Sequence, residues 1–172
     1  MRSYQGRSCL YVILFSLLAG ALLAAGQKTP VKHTKAKVLT NRGTFVIELY
    51  DKEMPITVAN FKSLVKQKFF NGLKFHRVED WVIQTGDPTG TGQGGSKKTI
   101  KLETNPKCTH VEGAVGMARN PNPNSASSQW YVVKEAKHVL DGRYACFGKV
   151  IQGMKVVKQI KQGDKVTSIT LL

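Results

Sequence analysis

Short runs rich in β-branched and aromatic residues recur along nearly the whole chain, and only two stretches interrupt them with helical spacing. Residues 37–50, "KVLTNRGTFVIELY", place two such runs around Asn41-Arg42-Gly43, a hairpin signal. In "MPITVANFKSLVKQKFF" the apolar Val58, Phe61, Leu64 and Val65 follow the three-four spacing of an amphipathic helix. Thr57 or a neighbour is expected to cap its start, and Asn71-Gly72 to end it. Strands are then expected over 73–84 and in "KTIKLE", "GAVGMA", "QWYVV" and "YACFGKV", with a glycine-rich loop at 86–95. A second helix fits "GMKVVKQIKQG", and "KVTSITLL" reads as a closing strand. Many short strands with two separated helices predict a closed or nearly closed antiparallel barrel with helices over its ends.

The N-terminus differs in character. Arg2 and Arg7 precede "CLYVILFSLLAGALLAA", and the small residues 24–26 suit a signal-peptidase site before Gln27. Residues 1–26 therefore read as a signal peptide, with an uncleaved membrane anchor as the alternative, 27–36 as a basic linker and 37–172 as one domain. The protein is expected to be exported to a periplasm, the extracellular space or a eukaryotic secretory lumen. Its formal charge of +15 comes from scattered lysines without aromatic interleaving, so nucleic acid is not an expected partner. Membrane contact is expected only through an uncleaved N-terminus. Cys108 and Cys146 do not make a disulfide framework, although an oxidising compartment permits a bridge; Cys146 reads as a small core residue. The four histidines are too dispersed for metal-ligand spacing, so neither metal nor cofactor is expected.

One residue sits oddly in this pattern. If "LKFHRV" is a strand, Leu73, Phe75 and Arg77 share a face, and a guanidinium cannot shed its charge to suit apolar neighbours. Either it leans into water or something polar arrives to meet it. Two other segments carry comparable polar residues among apolar ones: "GMARNPNPNSASSQWYVV" and "HVLDGRYACFGKVIQGMKVV". "FHRV" followed by "QTGD", then "MA" with "SSQWYV", then "LDG", "FGKV" and "GM" with "VV" resemble, in order, the motifs of the cyclophilins, a family of peptidyl-prolyl cis-trans isomerases. The similarity runs from about Lys37 to Leu172.

The resemblance implies an eight-stranded antiparallel closed barrel capped by two α-helices, and a groove for proline-containing peptides and unfolded protein clients. Arg77 matches the catalytic arginine and Gln84 the glutamine that fixes the substrate backbone. Trp81, Val82, Tyr131 and Leu140 match the cup for the proline ring. Ala118 and Gln129 match adjacent groove positions, and Tyr144 matches a histidine of the common pattern. The chain departs from the best-known eukaryotic members in several places. Arg77 to Gln84 is one residue shorter, with "ED" for Pro-Gly, and the Met117–Gln129 loop is one residue longer. Arg119 replaces asparagine, Trp81 and Tyr131 replace phenylalanines, Val82 replaces methionine, and Val139 replaces a tryptophan associated with tight cyclosporin binding. "MAR" before "SASSQ" is similar to bacterial exported members.

These residue types suit the reaction independently of kinship. Rotation about an X–Pro bond meets a barrier of ~18–20 kcal/mol from amide resonance, and no bond is made or broken. A fixed cation near the prolyl nitrogen favours the twisted state, in which a lone pair localises there. An apolar cup holds the ring, and an amide side chain holds the backbone. The expected function is an isomerase assisting the folding of exported proteins, acting as a monomer. The alternative is a proline-peptide binding module or holdase with weak catalysis.

Overall fold

The computed structural model describes residues 32–172; the segment read as a signal peptide or anchor and the start of the segment read as a linker lie outside them. β1 (Lys35–Thr40) and β2 (Gly43–Leu49) form the predicted hairpin, turning through Asn41-Arg42. β1 begins two residues inside the segment read as linker, because alternate residues Ala36, Val38 and Thr40 are buried. There follow α1 (Pro55–Lys66), β3 (Arg77–Glu79), β4 (Val82–Thr85), β5 (Ala114–Met117) and β6 (Trp130–Val133). A 3₁₀ turn at His138–Leu140 leads to β7 (Ala145–Gln152), α2 (Met154–Gln159) and β8 (Val166–Leu171).

The eight strands form one antiparallel sheet in the order β3-β4-β6-β5-β7-β2-β1-β8. It curls into a half-barrel, so the expected closed barrel is corrected to an open one. β3 and β8 do not pair as strands. Instead, the segment before β3 meets the start of β8: Phe75 N–H donates to Asp164 O at 2.8 Å and Val166 N–H to Leu73 O at 2.9 Å. The chain must change sides here, because Phe75 is in the core whereas the Arg77 side chain is 41% exposed. Leu73, Phe75 and Arg77 therefore do not share a strand face, and 73–84 is not one strand but a lead-in followed by the β3–β4 hairpin.

α1 packs on β7 and β8, and α2 on β2. Phe61, on the predicted apolar face of α1, stacks with Phe70 at 5.3 Å and meets Trp130 edge-on at 5.7 Å. The helix start is not capped by Thr57. The Glu103 carboxylate accepts from the N–H groups of Ile56 and Thr57 and from Thr57 Oγ1. That task occupies part of the expected strand "KTIKLE", which contributes only an isolated bridge between Ile100 and Ala126. Cys108 and Cys146 are buried free thiols, and burial pushes them up to about 11 and about 12 respectively.

Two buried carboxylates tie loops to this frame. Burial alone would raise Asp87, but Thr89 and the N–H groups of Gly94 and Gly92 donate to it and hold it at about 2. The hydrogen bond from Arg42 does most to lower Asp164 to about 2, supported by Lys161 N–H and Asn41. Both are depressed in the folded state, so their stabilisation is complete above the ordinary carboxylate pKa and lost as pH falls from about 4 to about 2. The urea midpoint should begin to fall below about pH 6.5, where the unfolded chain protonates the histidines that burial keeps neutral, His76 and His110, and drop more steeply below about pH 4. A midpoint unchanged at about pH 3 would contradict these assignments.

Candidate active site

The pairing register carries one row of side chains across the sheet. Arg77 on β3 lies opposite Gln84 on β4, Gln84 opposite Tyr131 on β6, and Tyr131 opposite Gly116 on β5. Directly opposed residues share a face, and the residues one step along, Ile83, Val132 and Val115, fill the core. The Arg77 row therefore belongs to the outer face. This answers the question raised by its guanidinium: the sheet turns it away from the core to the outer face.

Its neighbours follow from the short hairpin. Glu79 is two residues along β3 and so on the same face as Arg77. Glu79 pairs with Val82, leaving Asp80-Trp81 as a two-residue turn. Arg77 Nε and Nη2 donate to Glu79 Oε1 and Oε2 at 2.6 and 3.1 Å, and Nη1 donates to Gln84 Oε1 at 3.3 Å. Gln84 Nε2 donates to Gln129 Oε1 at 2.8 Å, and Gln129 Nε2 donates to the carbonyls of Gly92 and Gly94. A continuous chain of donors thus joins the arginine to the glycine-rich loop. His76, beneath that loop, is held below its ordinary pKa chiefly by burial, which favours the neutral form.

The expected cup is assembled, but not as a uniform wall. Trp81 stands at the hairpin turn with the Arg77 guanidinium 5.0 Å from its ring centre. Val82 is buried at the base of the same face. Tyr131 is only 5% exposed and lies flat over Gly116, forming a floor; Tyr144 meets it edge-on at 6.4 Å. Leu140 ends the 3₁₀ turn and is half-buried beside them. Arg119 covers Tyr144 at 4.6 Å and donates to the Arg143 carbonyl. Ala118, Gln84 and Gln129 instead border an adjoining cavity of about 420 Å³, together with Gly94 and Ser127. The Gln84–Gln129 hydrogen bond thus links the aromatic cluster around Arg77 to this more polar recess.

The Tyr131 hydroxyl is anchored from behind. Burial lowers the His110 pKa, so the ring is neutral, and the ionised Asp141 can only accept. Nδ1 of His110 therefore donates to Asp141 at 2.8 Å, which leaves Nε2 to accept from Tyr131 at 3.0 Å. The other Asp141 oxygen meets His138. Tyr131→Phe would leave the fully buried His110 Nε2 without a partner and should destabilise the fold by about 1–2 kcal/mol. Urea denaturation measures this, and an unchanged midpoint would show that the hydroxyl contributes nothing.

Residues 35–170 match the family model described as cyclophilin type peptidyl-prolyl cis-trans isomerase/CLD. The chain belongs to the cyclophilins. It is 39% identical over 143 residues to a peptidyl-prolyl cis-trans isomerase of Helicobacter pylori, covering 80% of this chain and 86% of that one. It is 36% identical over 125 residues to peptidyl-prolyl cis-trans isomerase-like 1 of Aspergillus niger, covering 70% and 77% respectively. A Cryptosporidium parvum cyclophilin superposes with a TM-score of 0.77 at 25% identity, over 82% of this chain and 98% of that one. The same protein, solved in the presence of the dipeptide Ala-Pro, gives a TM-score of 0.75 at 26% identity, over 80% and 98%.

Membership accounts for the motif order and leaves this cyclophilin's own departures visible. Glu79 and His110 escape a motif-based reading. The signal for Glu79 was its position two residues from Arg77 on a short strand. For His110 the signal was weaker: a tyrosine in a phenylalanine position requires some partner, and nothing local says it lies 21 residues away.

Proposed function

We propose that Arg77 is the catalytic cation of this peptidyl-prolyl isomerase, with Gln84 holding the substrate backbone and Trp81, Val82, Tyr131, Leu140 and Tyr144 seating the proline ring. The observation that carries this is the single outer-face row from Arg77 through Gln84 to Tyr131. It sets a permanent cation beside a neutral amide and an aromatic floor. The reaction needs neither a nucleophile nor a general base, because only rotation about the amide bond occurs. When the X–Pro bond twists, the prolyl nitrogen regains its lone pair and can accept from the guanidinium; the planar amide cannot do so equally well. That difference favours the transition state selectively. Ala118 and Gln129 border the recess that receives residues flanking the proline.

Export extends the reading. Arg2, Arg7, the apolar run and the small residues 24–26 support delivery out of the cytoplasm by a cleaved signal, where the clients are newly exported chains exposing X–Pro bonds. Uncatalysed exchange takes tens to hundreds of seconds, slow enough to limit their folding. A protease-coupled assay on a short X-Pro peptide tests the activity. N-terminal sequencing of the fractionated protein tests the export: a mature chain beginning near Gln27 is expected, and an intact Met1 in the cytoplasm would refute it.

A further inference from the structure

We infer that Glu79 is a positioning residue for isomerisation, orienting the catalytic guanidinium and the Trp81 indole through one carboxylate. The inference rests on the proposed role of Arg77. Glu79 Oε1 accepts from Arg77 Nε at 2.6 Å, while Oε2 accepts from both Arg77 Nη2 at 3.1 Å and Trp81 Nε1 at 2.7 Å. A single side chain therefore grips the cation along one edge and the neighbouring aromatic by its polar corner.

The need for such a grip follows from exposure. The Arg77 side chain is 41% exposed and stands on a three-residue edge strand. An arginine there has substantial rotamer freedom, and a point charge that wanders is a poor stabiliser of one twisted amide. Parallel bonds to a carboxylate fix the plane of the guanidinium as well as its position. The Trp81 ring supports one face, and Gln84 takes one Nη1 proton. Three of the five N–H groups are thus engaged, leaving one on each terminal nitrogen for a substrate amide. Lys137, whose ammonium lies 5.5 Å from the Trp81 ring centre, is the next cation on this rim.

The shortened hairpin makes the arrangement possible. With Asp80-Trp81 as a two-residue turn, the indole is brought back over the Arg77–Glu79 side of β3. Glu79 is itself exposed and outside the core, so removing it leaves the packed interior alone.

The test compares Glu79→Ala and Glu79→Gln with wild type in the X-Pro peptide assay, separating kcat from KM, with Arg77→Ala alongside. Glu79→Ala should lower kcat about tenfold and Glu79→Gln by less, since one acceptor oxygen remains, with KM within about twofold. In a ¹H–¹⁵N spectrum the Arg77 Nε–H and Trp81 indole N–H should resist solvent exchange in wild type and lose that protection in Glu79→Ala. The urea midpoint should not move. If kcat is retained or rises in both Glu79 variants while Arg77→Ala is impaired, Glu79 does not position the cation and the inference is overturned. If Arg77→Ala is also fully active, the assignment of the catalytic cation fails instead.

Discussion

Arg77→Ala should reduce kcat/KM for an X-Pro peptide by ~10²–10³, the loss expected for one preorganised donor aimed at a developing lone pair. That corresponds to about 2.7–4 kcal/mol of transition-state stabilisation. The effect should fall on kcat more than on KM, because in the proposed site the proline ring is seated by Trp81, Tyr131 and Leu140 rather than by the cation. Arg77→Lys should recover only part of the loss: an ammonium keeps the charge but cannot bind Glu79 through two parallel bonds. Stability should scarcely change in either variant, since the Arg77–Glu79 pair is exposed and such pairs contribute little. An Arg77→Ala enzyme within threefold of wild type would remove the guanidinium from the mechanism.

Gly116→Ala should damage both fold and activity. Gly116 sits opposite Tyr131 on the outer face, and an added Cβ would overlap the Tyr131 ring and hydroxyl. The ring cannot give way by a small shift, because Tyr144, His110 and the strands beneath confine it. Overpacking of this kind destabilises by about 1–3 kcal/mol, and ejecting the ring also breaks its bond to His110, adding about 1 kcal/mol. A displaced Tyr131 would enter the space proposed for the proline ring, so kcat/KM should fall by about 10². Gly116→Ala combined with Tyr131→Ala separates the two effects. The overlap disappears, so the stability losses should be less than additive, while activity stays low because the floor is missing. Additive losses would show that Gly116 and Tyr131 are not in contact. The glycine is thus required by close approach and not by its backbone angles, a use of strand glycine that its position in "GAVGMA" signals in advance.

Much of the architecture could be read from local pattern. The β1–β2 hairpin, α1, α2 and the strands around Val115, Val132 and Phe147 follow from hydrophobic period and turn residues, which act over a few neighbours. Local pattern misled where a distant group had taken over a local task. "KTIKLE" has strand composition, but its Glu103 is drawn to the start of α1. Thr57 looks like a cap, yet it donates its hydroxyl to that same carboxylate. At Phe75–Arg77 the alternation breaks because one residue seals the core while the other faces outward.

By itself the sequence determined the fold class, most of the elements, and which cation, amide and aromatic residues the chain can present. Those are properties of residue type and spacing, carried by the chain before it folds. Tertiary structure alone decided that the sheet stays open between β3 and β8, that Tyr131 is a floor anchored on His110 and Asp141, and that Glu79 grips both Arg77 and Trp81. The physical reason is range. Periodicity and turn chemistry act between near neighbours, whereas a buried hydroxyl takes whichever acceptor the register brings to it. For Tyr131 that acceptor comes from another segment, on the loop ahead of β5.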